Sequence, residues 1–379
     1  MIYLDNAATT FPKPNSVYDA LDKANREFAF NTGRGSYKAA REATKIIDET
    51  RIALLKLVNA EGLGDVVFAP SITIALNQII NGINFVTGDN IYVSPYEHNA
   101  VARPVNLIKK LKNVNIIELP VVEDTLEIDL EKLKYMFTQQ PPKCVICVHI
   151  SNVIGYILPV KDIFLLAKKY DSITVLDTAQ SLGLVEVEMN NLNADFIAFA
   201  GHKSLYGPFG VGGFITSGKV KLNEYIVGGT GSDSLNLNMP EGYPYKYESA
   251  SPNIVAIAGL NVAIKELDTE RIYDHEKELT DYLVEKLAEI SEVTMYLPPK
   301  DKHIGIVSFN IKGYRAEDVG MILDEDYDIA VRTGYHCAPF IHKWMKDEEY
   351  VGTVRVGVGR FTTKEEINSF INSIMSCIE

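Results

Sequence analysis

The sequence predicts an α/β protein in which a large domain with a mostly parallel sheet is joined to a smaller α+β domain. The chain has 379 residues, which is more than one domain usually holds. Between about residues 60 and 220, apolar strand-like runs alternate with amphipathic helical segments, a pattern typical of a parallel sheet with helices on both faces. Long helical segments then precede shorter strands and helices, which indicates a second and smaller unit.

The alternating region contains seven strand-like runs. In chain order these are VVFAP, NIYVSP, NIIELPVV, CVICVHI, SITVLD, ADFIAFA and GVGGFIT. Helices are predicted over about 72–85 and in VARPVNLIKKLK, DLEKLKYMF and VKDIFLLAKKY. Ligands of such sheets bind at the carboxyl ends of the strands, so the polar residues after each strand are the candidates for chemistry.

A long loop and a change of architecture mark the second half. The segment from Gly228 to Pro252 is rich in Gly, Pro, Ser, Asn and Tyr and has no regular period, which predicts a functional loop. Helices are predicted from Ile254 to Leu267, from Arg271 to Ile290 and in the final TKEEINSFINSIMSCI. We therefore expect residues 16–251 to form the large domain, and residues 1–15 with 252–379 to form the smaller α+β domain.

Composition and charge exclude several classes of protein. The net charge of −13 argues against a nucleic acid or an anionic membrane as partner. No apolar run approaches the roughly 18 residues that a membrane helix needs. The first residues lack a cationic segment followed by an apolar core, so we expect no signal peptide. Four cysteines in so long a chain favour a reducing, cytoplasmic location.

Three polar residues follow predicted strands, and each has two interpretations. Asp177 either caps a helix or pairs with a cation such as a protonated pyridine nitrogen. Lys203 is either an ordinary rim lysine or an amine, freed by desolvation, that forms a Schiff base. His98 is either a solvated loop residue or a ring that stacks on a pyridine face and helps to move protons.

These residues belong to a longer series of motifs. YLDNAATT, EHNA, SNVIG, DTAQ, GHKSLYGPFGVGG and RTGYHCAP occur in this order, and together they resemble the class V aminotransferase family. More narrowly, they resemble its cysteine desulfurase and selenocysteine lyase branch, which carries an RTGxHC loop. The resemblance runs from Tyr3 to the final helix. It implies the aspartate aminotransferase-like fold of pyridoxal 5'-phosphate (PLP) enzymes, with a seven-stranded sheet in the large domain, and a homodimer.

The resemblance also implies roles for single residues around PLP. Lys203 matches the lysine that forms the internal aldimine, Asp177 matches the partner of the pyridine nitrogen, and Gln180 matches the hydrogen-bond partner of the ring hydroxyl. His98 matches the histidine that stacks on the ring. Asn152 in SNVIG matches an asparagine on the substrate side of the cofactor.

The resemblance places the phosphate of PLP at a helix start. Backbone N–H groups and a hydroxyl of Ile72 and Thr73 are expected to hold it, because helix N-termini bind anions. His202 matches a phosphate-contacting neighbour of the lysine. Ser251 is expected to reach the phosphate of the neighbouring subunit.

Three positions depart from the family pattern around the phosphate. Ile74 stands where a Glu is usual, Ala200 where Ser or Thr is usual, and Ala250-Ser251 where Gly-Thr is usual. A single neutral hydrogen bond contributes about 1 kcal/mol net. We therefore expect weaker retention of PLP and not its loss.

Cys337 is the candidate nucleophile. A lone cysteine is often a small buried apolar residue, but Arg332, His336 and His342 stand close in sequence and could favour the reactive thiolate. The resemblance implies that Cys337 accepts sulfur as a persulfide.

Arg355 in TVRVGVGRF matches the arginine that binds the substrate carboxylate, a task that suits its planar fork. A surface ion pair is the alternative for Arg355, and Arg360 competes for the same role. Cys144 and Cys147 form a CxxC inside an apolar strand, where a spacing of three places them on opposite faces. A second cysteine pair is missing, so we expect a structural role for them and no metal site.

The preferred function is a PLP-dependent cysteine desulfurase that converts L-cysteine to L-alanine and holds the sulfur on Cys337 for an acceptor protein. A selenocysteine lyase, or a desulfurase acting on another thiol or sulfoxide, is an alternative within the branch. An aminotransferase or epimerase in which Cys337 is incidental is another. A non-catalytic PLP-binding scaffold is the alternative from a different class. Alanine release without a keto acid distinguishes the desulfurase from an aminotransferase, and any turnover excludes the scaffold.

Overall fold

The computed structural model of the chain describes residues 1–32, 37–231 and 235–378. Within these ranges the α-helices are α1 (Asn15–Glu27), α2 (Lys38–Leu57), α3 (Ile72–Gly82), α4 (Asn99–Lys112), α5 (Leu130–Gln139), α6 (Val160–Lys168), α7 (Ile254–Lys265), α8 (Thr269–Ala288), α9 (Ala316–Tyr327), α10 (His342–Met345) and α11 (Lys364–Ile378). The strands are β1 (Ile2–Tyr3), β2 (Asp65–Ala69), β3 (Asn90–Val93), β4 (Asn115–Glu118), β5 (Val121–Val122), β6 (Glu127–Ile128), β7 (Cys144–Val148), β8 (Ile173–Asp177), β9 (Phe196–Ala200), β10 (Gly212–Thr216), β11 (Val293–Tyr296), β12 (Ile306–Ile311), β13 (Ile329–Ala330), β14 (Arg332–Gly334) and β15 (Thr353–Gly357).

A seven-stranded sheet forms the centre of the molecule. Its strand order is β2-β10-β9-β8-β7-β3-β4. Neighbouring strands are parallel except at β10, which runs antiparallel to both β2 and β9. Each of its strands overlaps one of the seven predicted runs, so the prediction of a mostly parallel seven-stranded sheet is confirmed.

Side chains of the central sheet alternate between two apolar cores. In β7, Val145 and Cys147 point into a core shared with α2, α5, α6 and α7, whereas Cys144 and Ile146 point into a core shared with α3 and α4. Helices therefore cover both faces of the sheet, as a parallel sheet requires. The two cysteines lie on opposite faces, as their spacing predicts, and no metal-binding cluster of His, Cys, Asp and Glu occurs among the described residues.

Two predicted elements are shorter than the sequence pattern suggests. The run NIIELPVV was predicted as one strand, but β4 ends at Glu118 and Val121–Val122 pairs with Glu127–Ile128 in a separate ribbon. Pro120 stands at the break, where it supplies no N–H to a ladder. Helix α3 ends at Gly82 and not near residue 85. A side chain at Gly82 would lie 2.9 Å from the Asn223 carbonyl, so the close approach of that segment requires a glycine.

A four-stranded antiparallel sheet, in the order β11-β12-β15-β14, forms a second layer with α8, α9 and α11. The chain start joins this part, because β1 pairs with β13 and Asp5 bridges to Gly357. Helix α7 packs in the core of the larger sheet with α2. The division into residues 16–251 and 1–15 with 252–379 stays a prediction.

The predicted loop from Gly228 to Pro252 contains no helix or strand in its described part, and residues 232–234 lie outside the described residues. Leu235 and Leu237 on this loop are 96% and 100% exposed. Across the described residues, no helix is both long enough and apolar enough to span a membrane.

Candidate active site

Lys203 and Asp177 come together at the carboxyl ends of neighbouring strands. Asp177 is the last residue of β8, and Lys203 follows the end of β9 by three residues. Burial lowers the pKa of Lys203 to about 8, although the charge of Asp177 opposes this shift. Parallel pairing of the two strands therefore places an amine of reduced basicity beside a carboxylate at one edge of the sheet.

Asp177 is a buried carboxylate that is hydrogen-bonded to the backbone. Its Oδ1 accepts a hydrogen bond from the N–H of Ala179 at 2.9 Å, in a turn and not at a helix start. Burial raises the pKa of Asp177, while that hydrogen bond and Lys203 lower it. Such a carboxylate can stabilise a cation placed next to it. Gln180, one turn further on, donates from Nε2 to the Ala7 carbonyl at 2.7 Å.

His98 precedes α4 and lies among cationic side chains. Its Nδ1 accepts from the N–H of Ala100 at 3.0 Å, so a neutral ring carries its proton on Nε2. Burial, together with the charges of Lys203, Arg332 and Arg355, lowers the pKa of His98 to about 4. The ring is therefore neutral at pH 7 and available for stacking.

The expected phosphate residues surround the start of α3 and the segment after β9. Ser71 caps α3 by accepting from the N–H of Ile74, Ile72 is buried, and Thr73 is exposed. A side chain at Gly212 would lie 2.7 Å from the nitrogen of Ile72, so β10 approaches this helix start closely. The roles of Ile72 and Thr73 in holding phosphate stay predictions.

His202 and Ser251 occupy different environments. The ring of His202 stacks on Phe209 at 4.5 Å, and its Nδ1 lies 3.1 Å from the Thr9 hydroxyl. Burial lowers the pKa of His202 to about 4, with Lys203 and Lys13 adding to the shift. Ser251 is exposed on the long loop, and its predicted role across a subunit interface stays a prediction.

The N-terminal segment holds the backbone next to Lys203, a contact that the sequence pattern does not predict. The His202 carbonyl accepts from Thr9 Oγ1 at 2.9 Å, from the N–H of Thr10 at 3.2 Å and from Lys13 Nζ at 2.7 Å. Lys13 is only 9% exposed, and burial lowers its pKa to about 7. The motif YLDNAATT and the lysine three residues after it are visible in the sequence. Their contact with the distant His202 carbonyl is visible only in the structure.

Arg355 lies buried on β15 with two of its nitrogens occupied. Nη2 pairs with Asp5 Oδ1 at 2.7 Å, Nη1 donates to the Asn152 carbonyl at 2.9 Å, and Nε has no partner among the described residues. Burial lowers the pKa of Arg355, and Asp5 opposes this. Because the charge of Arg355 lowers the pKa values of both Lys203 and His98, this arginine faces the site.

Arg360, the competing arginine, has different contacts. Its guanidinium lies over the rings of Tyr206 and Phe361, at 5.3 and 4.9 Å from their centroids. The structure therefore favours Arg355 over Arg360 for contact with a ligand near Lys203.

Asn152 also contacts the turn that carries the candidate nucleophile, because its Nδ2 donates to the His336 carbonyl at 2.8 Å.

Cys337 lies on a tight turn at the edge of this cluster and is partly exposed. Arg332 Nη2 donates to its Sγ at 2.9 Å, so a cationic side chain is in direct contact with the sulfur. His336 instead contacts Thr353, with Nε2 at 2.8 Å from Oγ1, and His342 contacts Asp347. Of the three neighbours named from the sequence, only Arg332 touches the sulfur.

The fold and the site define an α/β protein with a buried lysine–carboxylate pair at its strand ends, faced by an arginine and a cysteine. The family model of class V aminotransferases matches residues 2–370, and the chain belongs to this family. The resemblance of the motifs is thereby confirmed.

Relatives of known name match nearly the whole chain. A probable cysteine desulfurase of Halalkalibacterium halodurans is 32% identical, over 99% of this chain and 92% of the relative. A cysteine desulfurase of Pectobacterium carotovorum is also 32% identical, over 98% of this chain and 91% of the relative. The apo structure of cysteine desulfurase from Thermococcus onnurineus NA1 superposes with a TM-score of 0.89 at 30% identity, covering 100% of this chain and 94% of that one. The structure of Escherichia coli CsdA, at 23% identity and a TM-score of 0.83, shares the fold, with 99% of this chain and 94% of that chain covered.

Proposed function

We propose that this protein is a PLP-dependent cysteine desulfurase that converts L-cysteine to L-alanine and holds the sulfur as a persulfide on Cys337. One observation carries the proposal: a cysteine thiol in contact with Arg332 stands at the edge of a cluster that contains Lys203, Asp177 and Arg355. The relatives named cysteine desulfurase support the same reaction.

The residues present fit PLP. Asp177 is a buried carboxylate whose pKa is raised by burial, and it would hold the pyridine nitrogen as its cationic partner. Lys203, with a pKa of about 8, would hold the cofactor covalently through Nζ, and the neutral ring of His98 would lie against its ring. The start of α3 would hold the phosphate. When bound, PLP withdraws electrons from the α-carbon of an amino acid.

The other steps belong to side chains of the chain itself. Arg355 binds the carboxylate of cysteine and thereby directs the side chain of the substrate toward the Cys337 loop. Lys203, whose pKa burial lowers to about 8, would take the α proton of the substrate and return it.

Cys337 performs the transfer of sulfur. Its thiolate attacks the sulfur of the substrate, so that an S–S bond forms as the Cβ–S bond breaks. A proton completes the methyl group of alanine. Cysteine and the enzyme thiol are together converted to alanine and an enzyme persulfide, so the step needs no external oxidant or reductant.

We further propose a cytoplasmic homodimer that passes its sulfur to an acceptor protein. The exposed Leu235 and Leu237 on the long loop support an interface with a second subunit, because large apolar side chains are seldom left in water without a partner surface. Ser251 on the same loop would then reach the neighbouring phosphate site.

The test is incubation with L-cysteine and a reductant, with alanine and sulfide measured together and no keto acid added. Wild type should release both in equal amounts, and Cys337→Ser should lose alanine release by orders of magnitude while keeping the cofactor. Equal rates for the two proteins would exclude Cys337 as sulfur acceptor and favour an aminotransferase or epimerase. If Cys337→Ser kept activity on L-selenocysteine alone, a selenocysteine lyase would be the better assignment.

A further inference from the structure

Cys337 occupies a turn that ordinary side chains disfavour. The N–H of Ala338 donates to the Tyr335 carbonyl at 3.0 Å and closes a four-residue turn. The two central residues, His336 and Cys337, have φ values of +48° and +58°. Positive φ at both central positions defines a type I′ turn, which is populated mainly by Gly, Asn and Asp. Neither His nor Cys belongs to that group, so the surroundings must hold the turn in place.

The carbonyls of the first three turn residues each accept a hydrogen bond from a residue outside the turn. Asn152 Nδ2 donates to the His336 carbonyl at 2.8 Å, and the N–H of Asn99 donates to the Cys337 carbonyl at 2.7 Å. The Tyr335 carbonyl receives a second contact from His342 Nε2 at 3.0 Å. Since Ala338 already satisfies the Tyr335 carbonyl, the His342 contact is not required to avoid an unpaired buried group.

The His342 ring lies between two acceptors. Its Nδ1 is 2.6 Å from Asp347 Oδ2, while its Nε2 faces the Tyr335 carbonyl. The contact with Asp347 fixes the orientation of the ring, so that Nε2 points at the Tyr335 carbonyl. The two side chains are 8% and 0% exposed. The other titratable side chains seen against the ring are Tyr335, with ring centroids 4.9 Å apart, and His336, at 6.4 Å.

We propose that His342, held in its orientation by Asp347, is a positioning residue for Cys337. It acts through the Tyr335 carbonyl, whose orientation sets the turn and keeps Sγ within 2.9 Å of Arg332 Nη2. Buried ion pairs add little net stability compared with apolar residues of similar volume, so fold stability alone does not account for this pair. The proposal rests on the proposed function in taking Cys337 as the nucleophile.

The test measures the alkylation rate of Cys337 by iodoacetamide against pH in the cofactor-loaded protein. A Cys377→Ser background removes the one other partly exposed thiol of the described chain, since Cys144 and Cys147 are buried. His342→Phe keeps a planar ring but no donor. Asp347→Asn replaces the carboxylate by a neutral amide and so weakens the hydrogen bond that orients the ring.

Both variants should raise the pH of half-maximal alkylation by about one unit and slow the reaction at pH 7 about tenfold, because the thiolate loses a charge-assisted contact. His342→Gln restores a donor toward Tyr335 and should recover part of the wild-type profile. His275→Gln is the matched control, since His275 also contacts a carbonyl, that of Thr362 at 2.9 Å, but away from Cys337. It should leave the profile unchanged.

An unchanged profile in both His342→Phe and Asp347→Asn would overturn the proposal. So would loss of the folded state in both, which would make the pair a determinant of the fold. Failure of the proposed function has a different signature. Alanine release that does not depend on Cys337 would refute the desulfurase, while the alkylation profiles would still decide whether His342 positions the thiol.

Discussion

Glu97 is a fully buried carboxyl group next to His98, and its replacement by Gln tests the electrostatics of the strand ends. Its Oε1 accepts from Ser94 Oγ at 2.5 Å and from the N–H of Val148 at 2.6 Å, while Oε2 has no partner within the described part of the chain. Burial raises the pKa of Glu97 from 4.5 to about 8, and the charge of Asp177 adds to the shift. The folded protein therefore carries this group in its neutral form at pH 7.

The size of the effect follows from the two pKa values. Between pH 4.5 and 8 the folded state binds a proton at Glu97 that the unfolded state has released, so stability falls as the pH rises through this window. At pH 7 the cost is about 3 kcal/mol, and at pH 5 it is less than about 1 kcal/mol. Gln has the same shape, keeps an acceptor for Ser94 and Val148, and does not titrate.

Glu97→Gln should therefore raise the free energy of unfolding by about 3 kcal/mol at pH 7 and by much less at pH 5. Urea unfolding followed by circular dichroism, at one protein concentration and both pH values, measures the difference. Glu61→Gln, at an exposed position, is the control and should change the free energy by less than about 0.5 kcal/mol at either pH. A gain of equal size at both pH values, or a loss at pH 7, would refute the reasoning.

Three further predictions concern the cofactor, the substrate and the assembly. Borohydride reduction of the purified yellow protein should bleach its colour and fix the cofactor on Lys203, and mass spectrometry that finds it on a different lysine would disprove the site. Asp5→Asn should raise KM for cysteine about tenfold with a smaller change in kcat, because Arg355 loses the carboxylate that holds Nη2; a fall confined to kcat would contradict this. Light scattering at micromolar concentration should give the mass of a dimer joined through the loop at 228–251, and a monomer with full cofactor occupancy would rule that out.

The amino-acid sequence by itself determined the central sheet and the position of its chemistry. Apolar runs of strand length, separated by amphipathic helices, lead to one parallel sheet because only that arrangement buries both faces of every strand. Parallel strands end at the same edge, so Asp177 at the end of one strand and Lys203 shortly after its neighbour lie close together there. The opposite faces of Cys144 and Cys147 follow from the same local geometry.

The local sequence pattern predicted element bounds less well where those bounds depend on contacts that are remote in sequence. Helices α1 and α2 were not predicted individually, and the run NIIELPVV was read as one strand although Pro120 interrupts it. The end of α3 at Gly82 depends on the approach of Asn223, a contact that no local window contains.

The tertiary structure alone decided which distant side chains contact the residues of the candidate site. Asp5 and Arg355 are 350 residues apart in sequence, and Lys13 and His202 are 189 apart, yet each pair is in contact. Sequence periodicity records which face of an element is apolar. It does not record which distant polar groups meet once the sheets and helices have packed, because those contacts depend on the summed geometry of the elements between them. The pairing of a buried cation with its acceptor therefore becomes visible only in the folded chain.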